Sequence, residues 1–279
     1  MIPLYHEVCH QCSELVTRRY STSFSSAINL LHKDLRKPIF DIYGFVRFAD
    51  EIVDTFHDYD KEQLLNEFTA ETWKAIKTGI SMNPILHSFQ EVVRTYNIPA
   101  CLITAFLHSM ELDLHKTDYD TVHEIEEYIY GSAEVVGLMC LCVFCEGDMT
   151  LYKKLEAPAR SLGAAFQKIN FLRDIQADFY NLNRTYFPDF DFYKFDGATK
   201  QRIEADIESD FAASLEGIRQ LPWKARFGVY TAYRYYYTLF RKIRKMQPQK
   251  VLETRVRVPD YEKLLIMARA RVRNQFNLI

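Results

Sequence analysis

The amino-acid sequence predicts an all-α protein, and its composition is the first reason. Only nine Gly and nine Pro occur among 279 residues, whereas sandwiches, barrels and Pro/Gly-rich disordered chains need these residues at turns or throughout. Hydrophobic residues make up 48% of the chain, which is enough to build a large core. Because no repeat, low-complexity segment or long linker divides the sequence, we expect a single domain over residues 1–279.

The positions of five prolines indicate where helices begin. Pro38, Pro84, Pro99, Pro222 and Pro259 stand at the starts of segments whose apolar residues recur with helical spacing. Proline is tolerated in the first turn of a helix because its missing N–H would have no partner there. In chain order, the predicted helices span residues 4–19, 23–33, 38–56, 61–78, 84–95, 100–115, 121–145, 149–179, 199–219, 222–246 and 260–276.

Residues 180–198 interrupt this helical pattern. Seven of these nineteen residues are aromatic, but asparagines, aspartates and Pro188 deny the segment a helical period. A long loop with many aromatic residues in a compact domain is typical of a lid over a functional site, and we expect Pro188 to belong to that lid. A surface loop held down by its aromatic side chains is the alternative.

A polar stripe follows the predicted helix 38–56. Arg47, Asp50 and Asp54 are spaced i, i+3, i+7 and therefore share one face, with Tyr43 one turn earlier. The other faces of this helix are apolar, so the stripe is not simply the side that faces solvent. We expect it to line an internal cavity.

A second stripe follows the predicted helix 149–179. Gln167, Asn170, Asp174 and Asp178 are spaced i, i+3, i+7, i+11 within an otherwise apolar sequence. If the two stripes face each other, four carboxylates share one cavity, and their repulsion must be relieved by protons or cations. Oxygen ligands select hard cations, and Mg²⁺ usually combines one or two carboxylates with substrate phosphate oxygens. The stripes therefore predict a site for a Mg²⁺-bound phosphate ester.

The cysteines are expected to be reduced thiols. Two pairs have the spacing of zinc ligands, namely Cys9 with Cys12 and Cys142 with Cys145. His6 and His10 stand beside the first pair, whereas the second lies in an apolar helical stretch. Free cysteine is often a small buried hydrophobe, so buried thiols are the preferred interpretation and a structural zinc is the alternative.

Several segments together resemble the squalene/phytoene synthase family. They are Ser21–Phe24 (STSF), residues 43–54 (YGFVRFADEIVD), 110–114 (MELDL), 128–133 (YIYGSA), 167–178 (QKINFLRDIQAD), 184–188 (RTYFP) and 255–259 (RVRVP) with Lys263. Order and spacing match the family pattern over most of the chain. Glu51 stands where many members have aspartate, and Ala177 stands where an acid often precedes the last aspartate, but all four stripe aspartates are present.

The resemblance implies an isoprenoid-synthase helical bundle around a central cavity that joins two prenyl diphosphates head to head. It implies a phytoene synthase that uses two geranylgeranyl diphosphates in carotenoid biosynthesis and proceeds through prephytoene diphosphate. This reaction needs Mg²⁺, or Mn²⁺ in its place, and no NADPH. A farnesyl diphosphate-using squalene or dehydrosqualene synthase is the alternative, and an inactive assembly protein of the same family is a more remote one.

The resemblance also assigns roles to particular residues. The expected metal ligands are Asp50, Asp54, Asn170, Asp174 and Asp178, which with Arg47 form the expected catalytic set. The expected substrate contacts are Ser21, Ser23, Phe24, Tyr43, Tyr130, Gln167, Arg173, Tyr186, Tyr236 and Arg255. Core packing is an equally open interpretation of Phe24 and of the tyrosines at 233–237. Gly44, Gly137 and Gly163 share the polar stripes, and we expect them to line the cavity or to let helices approach closely.

Charge and hydropathy give expectations about partners. The net charge is −2, but residues 241–279 carry eleven basic and three acidic residues. We interpret this basic region as solvated helix with a diphosphate contact. Peripheral attraction to anionic membrane, with residues 264–267 as the apolar side, is the alternative. We expect no nucleic-acid partner. The N-terminus does not resemble a signal peptide, and the apolar run 135–144 is too short to span a bilayer, so a cytoplasmic location is expected.

Overall fold

A computed structural model describes residues 2–119, 121–182, 184–187 and 192–275. The helices in chain order are α1 (Ile2–Tyr20), α2 (Thr22–Ile28), α3 (Lys33–Thr55), α4 (Lys61–Thr78), α5 (Pro84–Thr95), α6 (Ala100–His115), α7 (Val122–Ile129), α8 (Val135–Phe144), α9 (Met149–Leu182), α10 (Gly197–Gln220), α11 (Trp223–Arg244), α12 (Pro248–Glu253) and α13 (Asp260–Gln275). A π turn (Tyr130–Glu134) joins α7 to α8, and a 3₁₀ turn covers Phe192–Lys194. The described residues form no β-strand, only an isolated bridge between Asp118 and Thr185, so the predicted all-α class is confirmed.

Helix α9 is the longest helix, and together with α3 it organises the bundle. It packs against α8 and the π turn on one side and against α10 on the other, while α3 packs against α1, α5 and α8. Phe45 of α3 stacks on Phe89 of α5 with ring centroids 3.8 Å apart, and both side chains are fully buried. Helix α8 packs against both α3 and α9, the two helices that carry the polar stripes.

Three of the predicted helices differ from the helices in the structure. Helix α3 begins at Lys33, so Pro38 lies inside it rather than at its start. The helix continues through the proline because Leu35 and Ile39 on either side are buried in the core. The helix predicted over 23–33 ends at Ile28, and the helix predicted over 121–145 contains the π turn. The short helix α12, which has Pro248 in its first turn, was not predicted.

Glycine allows close contact at two of the three predicted positions. A Cβ atom on Gly163 of α9 would stand 2.9 Å from the Ala133 carbonyl oxygen and from the Glu134 Cα atom in the π turn. A Cβ atom on Gly44 would stand 2.8 Å from the Ser13 side chain. Gly163 and Gly137 both line the cavity described below. The expectation for these three glycines is confirmed.

The segment Val122–Phe144 is long and apolar enough, by length and composition, to cross a bilayer. This segment is longer than the apolar run 135–144 identified in the sequence, because α7, the π turn and α8 continue as one helical stretch. About 50% of its apolar window is buried inside the protein, including Val135, Leu138 and Met139. We therefore interpret this stretch as a core helix.

All six cysteines are free, and the second pair is buried as expected. Burial raises the pKa of Cys142 to about 12 and that of Cys145 to about 11, so both remain neutral thiols. Within the described part of the chain, no cysteine belongs to a group of three side chains close enough to hold a metal ion. The structure therefore supports the interpretation of Cys142 and Cys145 as buried thiols, whereas Cys101 is exposed.

Candidate active site

A cavity of about 1020 Å³ lies between α2, α3, the π turn, α8, α9, α10 and α11. The loop between α12 and α13 contributes to one end of its lining, and α8, α10 and α11 supply apolar side chains such as Phe144, Ile218 and Leu239. Eleven of the predicted site residues line it, namely Ser21, Ser23, Phe24, Tyr43, Arg47, Asp50, Gln167, Asn170, Arg173, Tyr236 and Arg255. Parts of both polar stripes therefore line one partly apolar cavity, whereas the predicted ligands Asp54, Asp174 and Asp178 are outside its lining.

The first stripe combines the half-buried carboxyl group of Asp50 with the guanidinium of Arg47. The Asp50 side chain is 33% exposed, and because Asp50 lines the cavity this exposed part faces into it. Burial within the protein, together with the nearby Asp54 carboxylate, raises the pKa of Asp50 to about 7. Arg47 Nη1 lies 3.8 Å from Asp50 Oδ2, and the same guanidinium pairs with Glu51. Arg47 Nε is buried and has no hydrogen-bond partner among the described residues, so it is free to donate to an anion.

The second stripe is held by hydrogen bonds on both sides. Asp174 accepts from Nε of Arg173 at 3.1 Å and from Nε of Arg255 at 2.7 Å, which ties α9 to the loop before α13. Two turns earlier on α9, the Gln167 amide donates to the Ser132 hydroxyl at 3.3 Å. The Asn170 amide donates to the Gln167 side chain at 3.4 Å. These contacts fix the polar face of α9 toward the cavity.

Asp54 on α3 and Asp178 on α9 are close enough for the charge of one carboxylate to affect the pKa of the other. Burial raises the pKa of Asp178 to about 7, and the carboxylates of Asp174 and Asp54 add to the effect. Asp54 itself is exposed. Within the described ranges, no three of the four stripe carboxylates offer oxygens within 4.8 Å of one another.

Aromatic rings cover the wall beside the first stripe. The Phe24 ring lies 5.5 Å from the Tyr43 ring and 6.2 Å from the Tyr236 ring, and Tyr236 stacks on Phe166 at 3.9 Å between centroids. Burial raises the pKa of Tyr43 to about 12, so its hydroxyl remains a donor. The Tyr236 hydroxyl donates to Asn170 Oδ1 at 3.4 Å. The wall therefore presents π faces on its apolar side and hydroxyl donors on its polar side.

Two predicted substrate contacts do not line the cavity. The Tyr130 ring is covered by the Arg160 guanidinium at 5.0 Å, outside the lining. The π turn that begins at Tyr130 shifts the helical register, so Ser132 and Ala133 reach the cavity instead. Tyr186 is buried and stacks on Phe171 at 4.0 Å between centroids. The sequence pattern did not reveal the register shift.

The described part of the predicted lid is packed inward. Tyr186, Phe192 and Phe195 are buried, as the alternative of a loop held down by aromatic side chains predicts. Pro188 lies outside the described residues.

A buried cluster anchors the residues that follow α9, and it was not among the predicted site residues. Arg184 Nη1 lies 3.1 Å from Asp113 Oδ1, and the Tyr128 hydroxyl donates to the same oxygen at 2.8 Å. The Arg184 backbone N–H donates to the Asp178 carbonyl oxygen at 3.0 Å. Burial raises the pKa of Asp113 to about 6. Arg184 thus connects α6 and α7 to the end of the second stripe.

Lys263, at the start of α13, also lines the cavity and was not among the predicted site residues. Its place within the C-terminal motif 255–263 was the signal that could have found it. It adds a third basic side chain, after Arg255 and Arg257, to that end of the cavity.

Comparisons with known proteins agree with this architecture. The chain is 25% identical to 15-cis-phytoene synthase of Enterobacter agglomerans over 275 residues, which cover 90% of each chain. It is 25% identical to 15-cis-phytoene synthase of Paracoccus sp. over 248 residues, which cover 82% of this chain and 80% of the relative. It is 26% identical to 4,4'-diapophytoene synthase of Staphylococcus haemolyticus over 206 residues, which cover 74% of this chain and 70% of the relative.

Solved structures share the helical fold. A dehydrosqualene synthase aligns with a TM-score of 0.84 at 20% identity, covering 97% of this chain and 98% of that one. Squalene synthase HpnC from Alicyclobacillus acidocaldarius aligns with a TM-score of 0.72 at 22% identity, covering 86% and 93%. The family model for squalene/phytoene synthase matches residues 17–262. The chain therefore belongs to the squalene/phytoene synthase family, whose prenyltransferases join two prenyl diphosphates head to head.

Proposed function

We propose that the protein is a phytoene synthase that condenses two geranylgeranyl diphosphates through prephytoene diphosphate in carotenoid biosynthesis. The observation that carries this proposal is a large cavity with apolar and aromatic walls, whose polar side includes Asp50 of one stripe and Asn170 of the other. Such a cavity accommodates long hydrocarbon chains, while the stripes and basic residues accommodate their diphosphates.

The donor set of the stripes fits Mg²⁺, and Mn²⁺ as a substitute. We propose Asp50, Asp54, Asn170, Asp174 and Asp178 as the residues that hold it, since all five offer oxygen donors. The raised pKa values of Asp50 and Asp178 reflect buried carboxyls that lack sufficient positive charge nearby. When bound, the cation neutralises diphosphate charge and stabilises the leaving oxygens.

The chain's own cationic residues would receive the departing diphosphate. Arg47 has a buried, unpartnered Nε, and Arg173 lines the cavity one turn beyond Asn170. Arg255, in the loop before α13, and Lys263, in α13, also line this cavity. Fixed N–H donors that face developing negative charge are an effective means of lowering such a barrier. Departure of the first diphosphate leaves an allylic cation.

The aromatic wall and apolar lining would protect the cations. Phe24, Tyr236 and Phe166 offer π faces that attract positive charge, and the apolar lining excludes water. The double bond of the second substrate attacks the allylic cation and loses a proton, which gives a cyclopropylcarbinyl diphosphate. Loss of its diphosphate, rearrangement and loss of another proton then give phytoene, without any hydride donor.

Chain length distinguishes this proposal from its alternatives. Relatives of both kinds match at 25–26% identity, so the identity of the product decides between the two substrates. A dehydrosqualene or squalene synthase acting on farnesyl diphosphate is the second candidate, because a 4,4'-diapophytoene synthase is among the relatives. An inactive assembly protein would have no need of four aspartates on two such polar stripes.

The deciding experiment incubates the purified protein and Mg²⁺ with geranylgeranyl or farnesyl diphosphate, each with and without NADPH. The hydrocarbon is then identified by mass. We expect phytoene from geranylgeranyl diphosphate without NADPH. A product formed only from farnesyl diphosphate would replace the proposal with the dehydrosqualene alternative, and a product that requires NADPH would indicate squalene.

We also propose a cytoplasmic protein that associates with the membrane surface, since its substrates and product are lipids. Tyr261, Leu264 and Leu265 are exposed on α13, whereas Ile266 is buried against the body of the protein. The basic residues of the same region could attract anionic headgroups.

A further inference from the structure

A cluster of histidines and carboxylates lies between α1 and α5 and takes no part in the proposed reaction. Helix α1 contributes His6 and His10, and α5 contributes His87 and Glu91. Each pair is spaced i, i+4 and therefore projects from one helix face, and the two helices pack against each other. We propose that these four side chains bind a divalent transition-metal ion of the zinc type at a site separate from the aspartate stripes.

The spacing of the donor atoms suits such an ion. Donor atoms around a tetrahedral zinc stand about 3.3 Å apart, given zinc–nitrogen bonds of about 2.0–2.1 Å. His6 Nδ1 lies 3.0 Å from His87 Nε2 and pairs closely with a Glu91 oxygen, and the donor atoms of these three residues all lie within 4.8 Å of one another. His10 Nε2 lies 2.9 Å from the other Glu91 oxygen. His10 is outside this group of three, so its ring would have to turn toward the ion to become the fourth ligand.

The proton positions in this cluster conflict in a way that a cation would relieve. His87 Nδ1 accepts the Ser81 backbone N–H at 3.3 Å, so the proton of the neutral ring is on Nε2 and points at His6 Nδ1. If His6 Nδ1 accepts that proton, its lone pair is used and the Glu91 carboxylate oxygen beside it is repelled. If His6 Nδ1 carries a proton toward Glu91, the two rings present hydrogens to each other.

A cation between these atoms would accept all three lone pairs at once. His87 Nδ1 would then carry the ring proton, and its contact with Ser81 would be lost. That contact is long for a hydrogen bond, and the Ser81 N–H would have to turn away from the protonated Nδ1.

A buried carboxylate orients one of the proposed ligands. Asp41 is fully buried, and its Oδ2 lies 2.7 Å from His10 Nδ1, which directs Nε2 of that ring toward Glu91. Carboxylates that hold the second nitrogen of a ligating histidine are common around zinc. Asp41 Oδ1 is buried without a hydrogen-bond partner among the described residues. His6 is 32% and Glu91 27% exposed, so an ion can enter from solvent.

The nearby cysteine pair does not supply the ligands. Burial raises the pKa of Cys9, so its thiol remains protonated, and the group of close metal-ligating side chains contains histidine and glutamate only. The zinc-like spacing of Cys9 and Cys12 therefore lies on α1, which contributes to the proposed site, but the proposed ligands on that helix are His6 and His10.

The test titrates Zn²⁺ into the full-length protein, with excess Mg²⁺ present so that the aspartate stripes do not take up the zinc. We expect one tight equivalent that is lost in His6→Gln and in Glu91→Gln. It should be retained in His108→Gln, a matched control whose imidazole is exposed and pairs with Glu111. Asp41→Asn should weaken binding about tenfold or more, which is usual when a carboxylate that orients a ligand is removed. Absence of a tight equivalent, or equal binding by His6→Gln, would overturn the proposal.

A substitution on α1 that unfolds the chain would also abolish binding, so a second measurement uses the unaltered protein. Diethyl pyrocarbonate modifies accessible histidines, and the modified residues are identified by mass spectrometry. We expect Zn²⁺ to protect His6, while the exposed residues His108 and His123 continue to react. Equal modification of His6 with and without Zn²⁺ would contradict the site.

Discussion

The guanidinium of Arg255 donates through Nε to Asp174 Oδ1 at 2.7 Å, although the two residues are 81 positions apart in the sequence. The contact joins the loop before α13 to the second aspartate stripe. Because Arg255 is 55% exposed, it can exchange this carboxylate for a substrate diphosphate. One residue thus balances the charge of the site and is available as a ligand for the substrate.

Arg255→Gln is expected to lower kcat/KM for prenyl diphosphates about 100-fold, the usual effect of losing one donor that stabilises developing negative charge. Release of inorganic diphosphate measures the rate. Arg271→Gln is the matched control, since it removes an exposed arginine from α13 outside the cavity lining. Equal losses in the two variants would mean that only general basic charge matters.

The double substitution Asp50→Asn and Asp174→Asn is expected to abolish diphosphate release while the helical content remains unchanged. Each asparagine keeps the size of the side chain and removes the charge that attracts divalent cations. Circular dichroism checks the fold, and Asp58→Asn, at an exposed position after α3, is the control. Turnover at the unaltered rate would refute the role proposed for the stripes.

Gly163→Ala is expected to destabilise the protein by about 1–3 kcal/mol, because the added methyl group collides with backbone atoms of the π turn. Urea unfolding measures the free energy. Gly197→Ala provides the comparison, since a Cβ atom at that helix start meets nothing within 4 Å. A Gly163 variant as stable as the Gly197 variant would show that the helices can separate without cost.

The stability of the protein should depend on pH through Asp113. Its folded-state pKa of about 6 exceeds the unfolded value, so the folded state binds more protons between these values and this contribution is lost as pH rises. Comparing the unaltered protein with Asp113→Asn isolates the effect. The free energy of unfolding of the unaltered protein, relative to the variant, should fall by about 2 kcal/mol from pH 4.5 to pH 7. A difference that is constant or rises with pH would exclude this origin.

Liposome flotation tests the proposed membrane contact of α13. We expect binding to anionic vesicles at low salt and release at high salt, because screening weakens the attraction of basic residues to headgroups. The exposed residues Leu264 and Leu265, replaced together by serine, should reduce the bound fraction further. No binding at low salt would end the proposal.

The sequence predicted several helices closely, and the reasons are local. Helices α4, α5 and α6 have the predicted bounds, with Asp60 and Asn83 capping the first two through side-chain hydrogen bonds. Helical periodicity also placed Arg47 with Asp50, and Gln167 with Asn170, on faces that line the cavity, because that periodicity depends only on the spacing of residues along one helix.

Long-range relationships could not be predicted in this way. The Arg255–Asp174 pair and the Arg184–Asp113 pair connect segments whose approach depends on the packing of the whole bundle. The π turn was hidden because its residues also suit a regular helix, and it moved Tyr130 away from the cavity lining. The continuation of α3 through Pro38 shows the same limit, since core packing there outweighs the local preference of proline.

The π turn at residues 130–134 also determines where the chain tolerates changes in length. A π turn holds one residue more than the α-helical turn that it replaces. Deleting one residue here would restore regular helix and leave α8 close to its present orientation relative to α7, so Gly137 would still line the cavity and Met139 would stay in the core. A deletion within α8 itself would instead rotate the residues that follow it by about 100°. One-residue deletions among relatives are therefore expected at the π turn rather than within α8.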